Sequence, residues 1–521
     1  MTSVYEILLW PLVTLLSVIV GIPLRMLNGC KRKRCCSPVE DDLLMIPARD
    51  LVRKIVKQEV KCHTVISRYV NRINAVNPLV NAIVEERFED ALKEAAAVDE
   101  MITQNKLSEE ELLSCYPLLG IPITIKESIS VKGMSNGAGS LQAKDKIGEE
   151  DADIVKAVKK AGAIVMLVSN TPELCLNWET SNKVTGITCN PYDTRRTCGG
   201  SSGGEGALLG AGASLIGLGS DIAGSLRLPA HFCGIFSHKP TARSISLSGH
   251  YPDCEDKEKW NDHFIMGPMS RYAVDLPIAL KIIIKPEYKE ILNLDRKVDL
   301  NKLRFFYLDN NASILVNNVD RSIDNSLNSV IDYFRGKYRM DVNKLKFKQS
   351  PYLTIVPLLA IEGTDDLYYD QPKSNIYWEL LKFLFGQSKA TLTGVFYFVL
   401  HNLTTKFVSK RKVEKIRVKM FEARKELEDI LGDDGVLLYP TYPTPAHYHF
   451  MCISKLLDCS YCTVFNAFGL PATNCPIGYS EQGLPVGIQV IAKRNCDRLS
   501  LAVAEEIENI FGGWKFSPQS Q

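Results

Sequence analysis

The first strong pattern along the chain is an uninterrupted apolar stretch near its N-terminus. Residues 7–24 (ILLWPLVTLLSVIVGIPL) contain no charged side chain, and an α-helix needs about 20 apolar residues to cross a bilayer. A cleaved signal peptide would have a basic segment before a shorter apolar run. The pattern therefore predicts one transmembrane helix over residues 7–24.

The residues that follow are basic and define a predicted juxtamembrane linker over residues 25–40. Residues 31–34 read Lys-Arg-Lys-Arg, and Cys30, Cys35 and Cys36 flank them. Such a cluster suits anionic lipid head groups, with the cysteines as candidates for palmitoylation, and it equally fits a plain flanking segment with inert thiols.

The distribution of charge around the apolar stretch also predicts an orientation. No Lys or Arg precedes the stretch, so the positive-inside rule places the rest of the chain in the cytosol. Two Asn-X-Ser/Thr triplets, at Asn311 and Asn402, could be glycosylated only on the lumenal side, and such triplets also occur by chance. We therefore expect a single-pass membrane protein with an unglycosylated, cytosolic body.

Beyond residue 40 the pattern alternates between helix and strand periodicity. Apolar residues at helical spacing predict two or three amphipathic helices over residues 41–101. From Tyr116 a β-branched run ends at Lys126 and predicts a buried strand, whose hydrogen-bonded part follows Pro122. The other predicted elements are a helix over residues 153–163, strands over residues 164–168, 436–439 and 486–491, and a more helical region over residues 285–430. This succession predicts one α/β domain over residues 41–521.

Composition and charge exclude several classes of function. The 521 residues are 45% hydrophobic and 23% charged, which is typical of a globular protein. A net charge of +2 gives no global attraction to nucleic acid. The 15 cysteines are scattered, which favours reduced thiols. Cys459 and Cys462 form a C-x-x-C without a second pair, and no H-E-x-x-H occurs, so we expect no metal and no cofactor.

The strongest chemical signal lies between residues 197 and 240. Residues 198–206 read CGGSSGGEG, and residues 219–230 read GSDIAGSLRLPA. Side chains this small cannot fill a core, so backbone must approach backbone or a ligand closely. A serine becomes a nucleophile when a base takes its proton, and a lysine can be that base when burial keeps it neutral. Lys126, at the end of an apolar run, meets that requirement.

Together with Lys126, these motifs resemble the amidase signature family over roughly residues 45–510. The resemblance implies a large mixed β-sheet covered by helices on both faces. It also implies a triad that cleaves carboxylic amides through an acyl-enzyme. Ser225 would attack the carbonyl, Ser201 in a cis peptide would relay the proton, and Lys126 would be the base.

The same resemblance implies further site residues. The backbone N–H groups of Ile222, Ala223, Gly224 and Ser225 would form the oxyanion hole, and Ser202 would support the network. Ala223 departs from the glycine that is common in the family. If this position needs a positive φ angle, its methyl group would cost stability or displace the oxyanion hole.

A competing interpretation makes Ser201 the nucleophile. Residues 199–203 also satisfy the G-x-S-x-G elbow of α/β-hydrolases, with His447 or His449 as the candidate histidine. An elbow should lie between a strand and a helix, whereas residues 190–194 before it are predicted to be a loop. We therefore favour Ser225.

An amidase core with an N-terminal membrane helix resembles the members of this family that act on lipid amides, and the resemblance implies a fatty-acid amide as the substrate. Residues 391–400 (TLTGVFYFVL), with Tyr377, Trp378 and Phe383 nearby in sequence, could form an apolar entrance, and an ordinary buried helix fits the pattern equally well. The alternatives are a hydrolase of other amides or esters and a catalytically silent membrane scaffold. A homodimer is compatible with the sequence, which does not settle the oligomeric state.

Overall fold

A large sheet organises the protein. The computed structural model describes residues 11–516 apart from residues 12–13, 16, 105–106, 255, 311–312, 347–377, 379–380, 384, 392 and 396–409. Within these residues, one sheet has eleven strands. In chain order they are β1 (Ile83–Glu86), β2 (Pro122–Lys126), β3 (Ile164–Ser169), β4 (Ile216–Asp221), β5 (Phe236–Lys239), β6 (Ile265–Ser270), β7 (Arg304–Tyr307), β8 (Val342–Lys344), β9 (Gly435–Pro440), β10 (Ala472–Tyr479) and β11 (Pro485–Ala492).

The sheet is mixed, with the strand order β1-β3-β2-β4-β6-β5-β10-β11-β9-β7-β8. Strand β2 pairs in parallel with β3 and β4, and β7 pairs in parallel with β8 and β9. The other neighbouring strands are antiparallel. The carboxyl ends of β3, β2 and β4 consequently meet at one edge of the sheet.

Helices flank this sheet and bury its apolar side chains in one large core. A smaller apolar cluster lies beneath the long helix that precedes β9. The described α-helices are α1 (Ile22–Gly29), α2 (Ala48–Val56), α3 (Cys62–Val80), α4 (Phe88–Gln104), α5 (Glu109–Cys115), α6 (Asp153–Lys160), α7 (Gly203–Gly210), α8 (Arg227–Cys233), α9 (Lys257–His263), α10 (Leu276–Ile283), α11 (Pro286–Leu292), α12 (Arg321–Tyr338), α13 (Lys410–Leu431), α14 (Ser460–Ala467) and α15 (Asp497–Phe511).

The predicted mixed sheet flanked by helices is confirmed, as are most of the predicted elements. Strands β2, β3, β9 and β11 lie where the apolar runs predicted them, and α2, α3 and α4 lie within or beside the predicted helical region. In α2 the buried residues Leu51, Val52, Ile55 and Val56 recur at helical spacing, which is why this segment folds as a helix against the core.

Two short segments differ from the predictions. The four-residue strand β1, only partly buried, lies inside the region predicted to be helical, because it pairs with β3 at the sheet edge. Residues 190–194 are not simply a loop: Cys189–Asn190 and Asp193–Thr197 pair as a small antiparallel hairpin. The first segment forms a strand because it pairs with a strand distant in sequence, and the second because its two arms pair across a turn. Local composition does not indicate either pairing.

The N-terminal segment contacts the body of the protein. The side chain of Asn28 in α1 is buried, and its amide donates to the carbonyl of His449 (3.3 Å). On the other side of α1, Ile22, Met26 and Leu27 are more than half exposed. In the described part of the chain, no helix combines the length and the apolar character that crossing a bilayer requires.

Several predictions fall wholly or partly outside the described residues. Residues 7–10, 12–13 and 16 of the predicted transmembrane helix are among them, as are Asn311, Asn402 and Tyr377. The transmembrane helix, its orientation and the glycosylation state remain predictions.

Candidate active site

The candidate site lies where the parallel strands β3, β2 and β4 end. Lys126 is the last residue of β2, and Asp221 is the last residue of β4. The pairing of these two strands therefore places the segment that begins at Asp221 beside Lys126, although the two residues are far apart in sequence. The loop after β3 contributes Cys175 to the same edge.

Lys126 is fully buried and is held by two serines. Its Nζ lies within hydrogen-bond distance of Ser201 Oγ (2.6 Å) and of Ser220 Oγ (2.9 Å). Burial lowers the pKa of Lys126, while nearby Cys175 and Asp221 act in the opposite direction. Desolvation is the dominant cause, so the neutral amine that a base requires is favoured relative to a lysine in water.

Ser201 and Ser202 immediately precede helix α7. The peptide bond between Gly200 and Ser201 is cis. The backbone N–H of Ser202 donates to the carbonyl of Ser225 (3.2 Å), and the Ser202 hydroxyl lies 3.3 Å from both the N and the O of Ser220. Ser202 thus ties the start of α7 to β4 and to the segment that carries Ser225.

The glycines of this segment permit a close approach. A Cβ on Gly203 would lie 2.1 Å from Thr180 Oγ1, and one on Gly204 would lie 2.5 Å from the backbone nitrogen of Asn170. Any larger residue would push α7 away from the loops that surround it. The prediction that backbone packs against backbone here is confirmed.

A buried ion pair between Asp221 and Arg227 stabilises the turn over residues 222–225. Asp221 accepts from the backbone N–H groups of Gly224 (2.7 Å) and Leu226 (3.0 Å), and from the guanidinium of Arg227 at 3.2 Å. Burial alone would raise the pKa of Asp221, but Arg227 lowers it to about 2. The carboxylate therefore stays charged and fixes the turn.

Residues distant in sequence also bind the Asp221–Arg227 ion pair. Arg227 also donates to Asn466 Oδ1 (2.6 Å), Gln489 Oε1 (2.9 Å) and the carbonyl of Cys462 (3.1 Å). Asn466 Nδ2 donates in turn to Asp221 Oδ1 (2.8 Å). Asn466 and Gln489 therefore hold the Asp221–Arg227 pair in place.

A narrow cavity opens onto the serines. Ser201 and Ser225 both line it, and no hydrogen bond links their two hydroxyls within the described part of the chain. The structure therefore brings Lys126 and Ser201 into direct contact and Ser225 into the same cavity. The remaining lining residues are Leu174, Cys175, Leu176, Ser220, Ile222, His250, Pro252, Trp260 and Phe264.

The four predicted oxyanion-hole residues differ in what their backbone can do. Gly224 has φ +105°, and its N–H is already bonded to Asp221. Ala223 is not among the residues with positive φ, so the methyl group that departs from the family pattern causes no backbone strain. The requirement for glycine lies one residue later, because a Cβ on Gly224 would lie 2.5 Å from Cys462 Cβ.

A buried carboxyl group, that of Glu205, interacts electrostatically with Lys126. Glu205 in α7 accepts from Thr124 Oγ1 (2.5 Å) and is fully buried. Burial raises the pKa of Glu205 to about 7, and the field of Lys126 opposes this shift. The charged form of Glu205 in turn raises the pKa of Lys126, so this carboxyl opposes the larger effect of burial on the lysine.

The histidines of the competing nucleophile-elbow interpretation lie elsewhere. His449 Nδ1 contacts Glu179 Oε1 (2.6 Å), and His447 Nδ1 bonds the carbonyl of Tyr448 (2.9 Å). Ser201 instead contacts Lys126. This geometry offers Ser201 an amine rather than an imidazole as its base.

The cysteines show no sign of a metal centre. None of the 15, all of which the structure describes, forms a disulfide, and Cys459 and Cys462 are buried and bond backbone carbonyls. Among the residues that the structure describes, no group of three metal-ligating side chains occurs. Of the three cysteines that flank residues 31–34, Cys30 is exposed whereas Cys36 is buried.

Sequence reasoning missed two residues of the site. Ser220 belongs to the quoted motif, and only the β2–β4 pairing indicates that it contacts Lys126. His250 comes from a loop with no motif, and it lines the cavity. No sequence signal distinguished it from the other histidines.

Comparison with known proteins identifies relatives over almost the whole chain. A family model for amidases matches residues 64–501. Human fatty-acid amide hydrolase 2 is 38% identical over 509 residues, covering 95% of each chain. Fatty-acid amide hydrolase 2-A of Danio rerio is 40% identical over 491 residues, covering 92% of this chain and 91% of its own. A solved structure of fatty acid amide hydrolase has a similar fold, with a TM-score of 0.73, 21% identity and coverage of 92% of this chain and 87% of its own.

Proposed function

This chain belongs to the amidase family of amide-cleaving hydrolases, and we propose that it hydrolyses fatty-acid amides with a triad of Ser225, Ser201 and Lys126. The observation that carries the triad is the 2.6 Å contact between Lys126 Nζ and Ser201 Oγ, in a cavity that Ser225 also lines. Lys126 is buried, and burial lowers its pKa. A buried amine and two hydroxyls at one place support the proposed roles of base, proton relay and nucleophile.

The acylation step transfers one proton along this relay. Ser225 Oγ attacks the amide carbonyl and gives its proton to Ser201 Oγ, while the Ser201 proton passes to the neutral amine of Lys126. The resulting ammonium returns a proton through Ser201 to the leaving nitrogen, and the C–N bond breaks. The products are the free amine and an ester of Ser225. The hydrogen bond between the two serines would form as substrate enters, since catalytic contacts often tighten only in the complex.

The deacylation step repeats the sequence with water. Water attacks the Ser225 ester, and its proton passes through Ser201 to Lys126. The ammonium then returns a proton to Ser225 Oγ as the carboxylic acid leaves. During both steps the negative oxygen would face the backbone N–H groups of Ile222, Ala223 and Ser225, whose turn is held by Asp221. Gly224 would take part only if its N–H left Asp221.

The cavity supports an apolar acyl group as part of the substrate. Leu174, Leu176, Ile222, Trp260 and Phe264 present hydrocarbon or aromatic surface beside the serines. Burying an acyl chain against such side chains stabilises the complex by about 0.8 kcal/mol per methylene. The names of the similar human and Danio rerio proteins, fatty-acid amide hydrolases 2 and 2-A, agree with this chemistry.

The predicted entrance patch lies next to this cavity where it is described. Thr391 donates through N and Oγ1 to Glu173 Oε2 (2.8 and 2.9 Å), and Asn177 Nδ2 contacts Thr393 Oγ1 (3.3 Å). Glu173 and Asn177 flank the cavity-lining residues 174–176. These contacts support residues 391 and 393–395 as part of the acyl-chain entrance, while residues 392 and 396–400 of the predicted patch lie outside the described residues.

We extend the proposal to a membrane location, with residues 7–24 as a single-pass anchor and the catalytic body in the cytosol. The support is the uncharged stretch, the following Lys-Arg-Lys-Arg sequence and the exposed apolar side chains Ile22, Met26 and Leu27. Anchoring would hold the enzyme where fatty-acid amides partition.

Covalent labelling with a serine-directed fluorophosphonate tests the assignment. The wild type should be labelled, Ser225→Ala should not be, and Ser201→Ala should retain the label site while turnover falls. Peptide mapping that finds the label on Ser201 would overturn the triad in favour of the elbow. Turnover of a series of primary amides with acyl chains from 2 to about 18 carbons then tests the substrate: a rate that does not rise with chain length would favour a hydrolase of other amides, and faster cleavage of matched esters would favour an esterase.

A further inference from the structure

A buried histidine, His250, contacts Ser220, which in turn contacts Lys126, the base of the proposed triad. His250 lies in the loop between β5 and β6, and its ring packs edge-on against Phe264 (4.6 Å between ring centroids). Its Nδ1 lies 3.0 Å from the carbonyl oxygen of Pro252. Its Nε2 lies 3.1 Å from Ser128 Oγ and 3.3 Å from Ser220 Oγ. Both nitrogens therefore have partners in the protein.

The partners of His250 determine where its proton lies. A carbonyl oxygen only accepts hydrogen bonds, so Nδ1 must carry the hydrogen that Pro252 receives. Burial first, and the charge of Lys126 second, lower the pKa of His250 to about 3. The imidazole is therefore neutral at physiological pH, and its Nε2 offers a lone pair and no hydrogen.

This lone pair fixes the direction of the next hydrogen bond. The hydroxyls of Ser128 and Ser220 both lie within hydrogen-bond distance of His250 Nε2. Since this nitrogen has no hydrogen to give, Ser220 takes part in that contact only as the donor of its one hydrogen. The oxygen of Ser220 is then left to accept from Lys126 Nζ, which lies 2.9 Å away. Lys126 in its neutral form has two hydrogens and one lone pair. Donating one hydrogen to Ser220 helps to turn the lone pair toward Ser201 Oγ, 2.6 Å away on another side.

We propose that His250 is a positioning residue that acts through Ser220 to aim the lone pair of Lys126 at Ser201. This inference rests on the proposed Ser225–Ser201–Lys126 triad. With the opposite tautomer, or without an acceptor at this place, the hydroxyl of Ser220 could donate to the amine. The lone pair would then be occupied, and Ser201 would lose its proton acceptor.

Two substitutions separate the two functions of the imidazole. His250→Asn places an amide near the position of Nδ1, which preserves a donor for Pro252 but removes the acceptor for Ser220. His250→Gln places an amide oxygen near the position of Nε2, which preserves the acceptor. We expect His250→Asn to lower kcat about 10- to 100-fold with KM nearly unchanged, as part of the effect of general-base catalysis. His250→Gln should restore kcat to within about threefold of the wild type.

Ser128 provides a matched control, because its hydroxyl bonds the same nitrogen of His250. Within the described residues it makes no hydrogen bond to Lys126. Ser128→Ala removes a buried hydroxyl from the same cluster, and we expect kcat to stay within about twofold of the wild type. A comparable loss in Ser128→Ala and His250→Asn would indicate a general packing effect and overturn the proposal.

A double-mutant cycle tests the route through Ser220. If His250 acts only through this hydroxyl, the variant Ser220→Ala/His250→Asn should be no slower than Ser220→Ala alone. Independent, multiplying losses would contradict the inference, and so would wild-type kcat in His250→Asn. Melting temperatures within about 2 °C of the wild type confirm that each variant is folded. Fluorophosphonate labelling of Ser225 in the wild type shows whether the triad itself holds, so failure of the inference and failure of the proposed function give different results.

Discussion

Removing the guanidinium that neutralises Asp221 should destabilise the fold and displace the turn over residues 222–225. Arg227→Met keeps the length and the apolar stem of the side chain but removes all of its donors. Asp221 and Arg227 are both fully buried, and the pair is 3.2 Å apart. Breaking a buried pair in this way typically costs about 3–5 kcal/mol, because the remaining charge is uncompensated.

The expected shift in melting temperature follows from the size of the protein. Unfolding entropy is about 2.1 cal/mol/K per residue, so 521 residues give roughly 1.1 kcal/mol/K. Dividing about 3–5 kcal/mol by this value predicts a Tm lower by about 3–5 °C. Intrinsic fluorescence of the full chain in detergent, at one scan rate for all variants, measures this shift. Initial turnover should fall as well, because Ser225 is carried by the turn that Asp221 fixes.

The pH dependence of this shift provides a second readout. In the wild type the folded-state pKa of Asp221 is lowered to about 2, so the stabilisation is present above the unfolded-state pKa near 4 and is lost as pH falls toward 2. In Arg227→Met, burial acts without the arginine and raises the pKa of Asp221, so the carboxyl can bind a proton in the folded state. The difference in Tm should therefore be larger at pH 8 than at pH 5.

The double variant Asp221→Asn/Arg227→Met is the control, because it removes the uncompensated charge. It should recover about half of the lost stability. A Tm of Arg227→Met within 1 °C of the wild type at pH 8, or a difference that does not change with pH, would refute the reasoning.

Three further predictions address the base, the turn and the membrane. Lys126→Ala should abolish measurable amide turnover in a folded protein, and wild-type kcat should rise with pH as the buried lysine, whose pKa is lowered, becomes neutral; near-normal turnover in the variant would refute the Ser-Lys mechanism. Gly224→Ala should impair folding and labelling, because φ is +105° and the new Cβ would lie 2.5 Å from Cys462, whereas Ala223→Gly should be tolerated; equal behaviour of the two would contradict the assignment of strain. In intact microsomes the body should be degraded by added protease and carry no glycan at Asn311 or Asn402, and an endoglycosidase-sensitive, protease-protected band would show the reverse orientation.

Local composition was sufficient to predict the principal elements and the catalytic candidates. An apolar, β-branched run predicts a buried strand wherever it pairs, so β2, β3, β9 and β11 could be found from the sequence. The glycines around Ser201 and Ser202 indicated a close approach of backbones for the same local reason, since only residues without a side chain permit it. The family resemblance then supplied roles that composition alone could not assign.

What the sequence could not determine depends on contacts between distant segments. Asn466 and Gln489 reach Arg227 only because the sheet folds their segments over α8, and β1 exists only because β3 offers it an edge. Likewise, Ser220 meets Lys126 because β2 and β4 pair in parallel, and His250 meets Ser220 because the loop after β5 returns to the carboxyl ends of these strands. No single stretch of the sequence reveals that residues from such distant segments lie close together. The sequence by itself therefore determined which groups could do the chemistry, and the tertiary structure decided which groups hold and orient them.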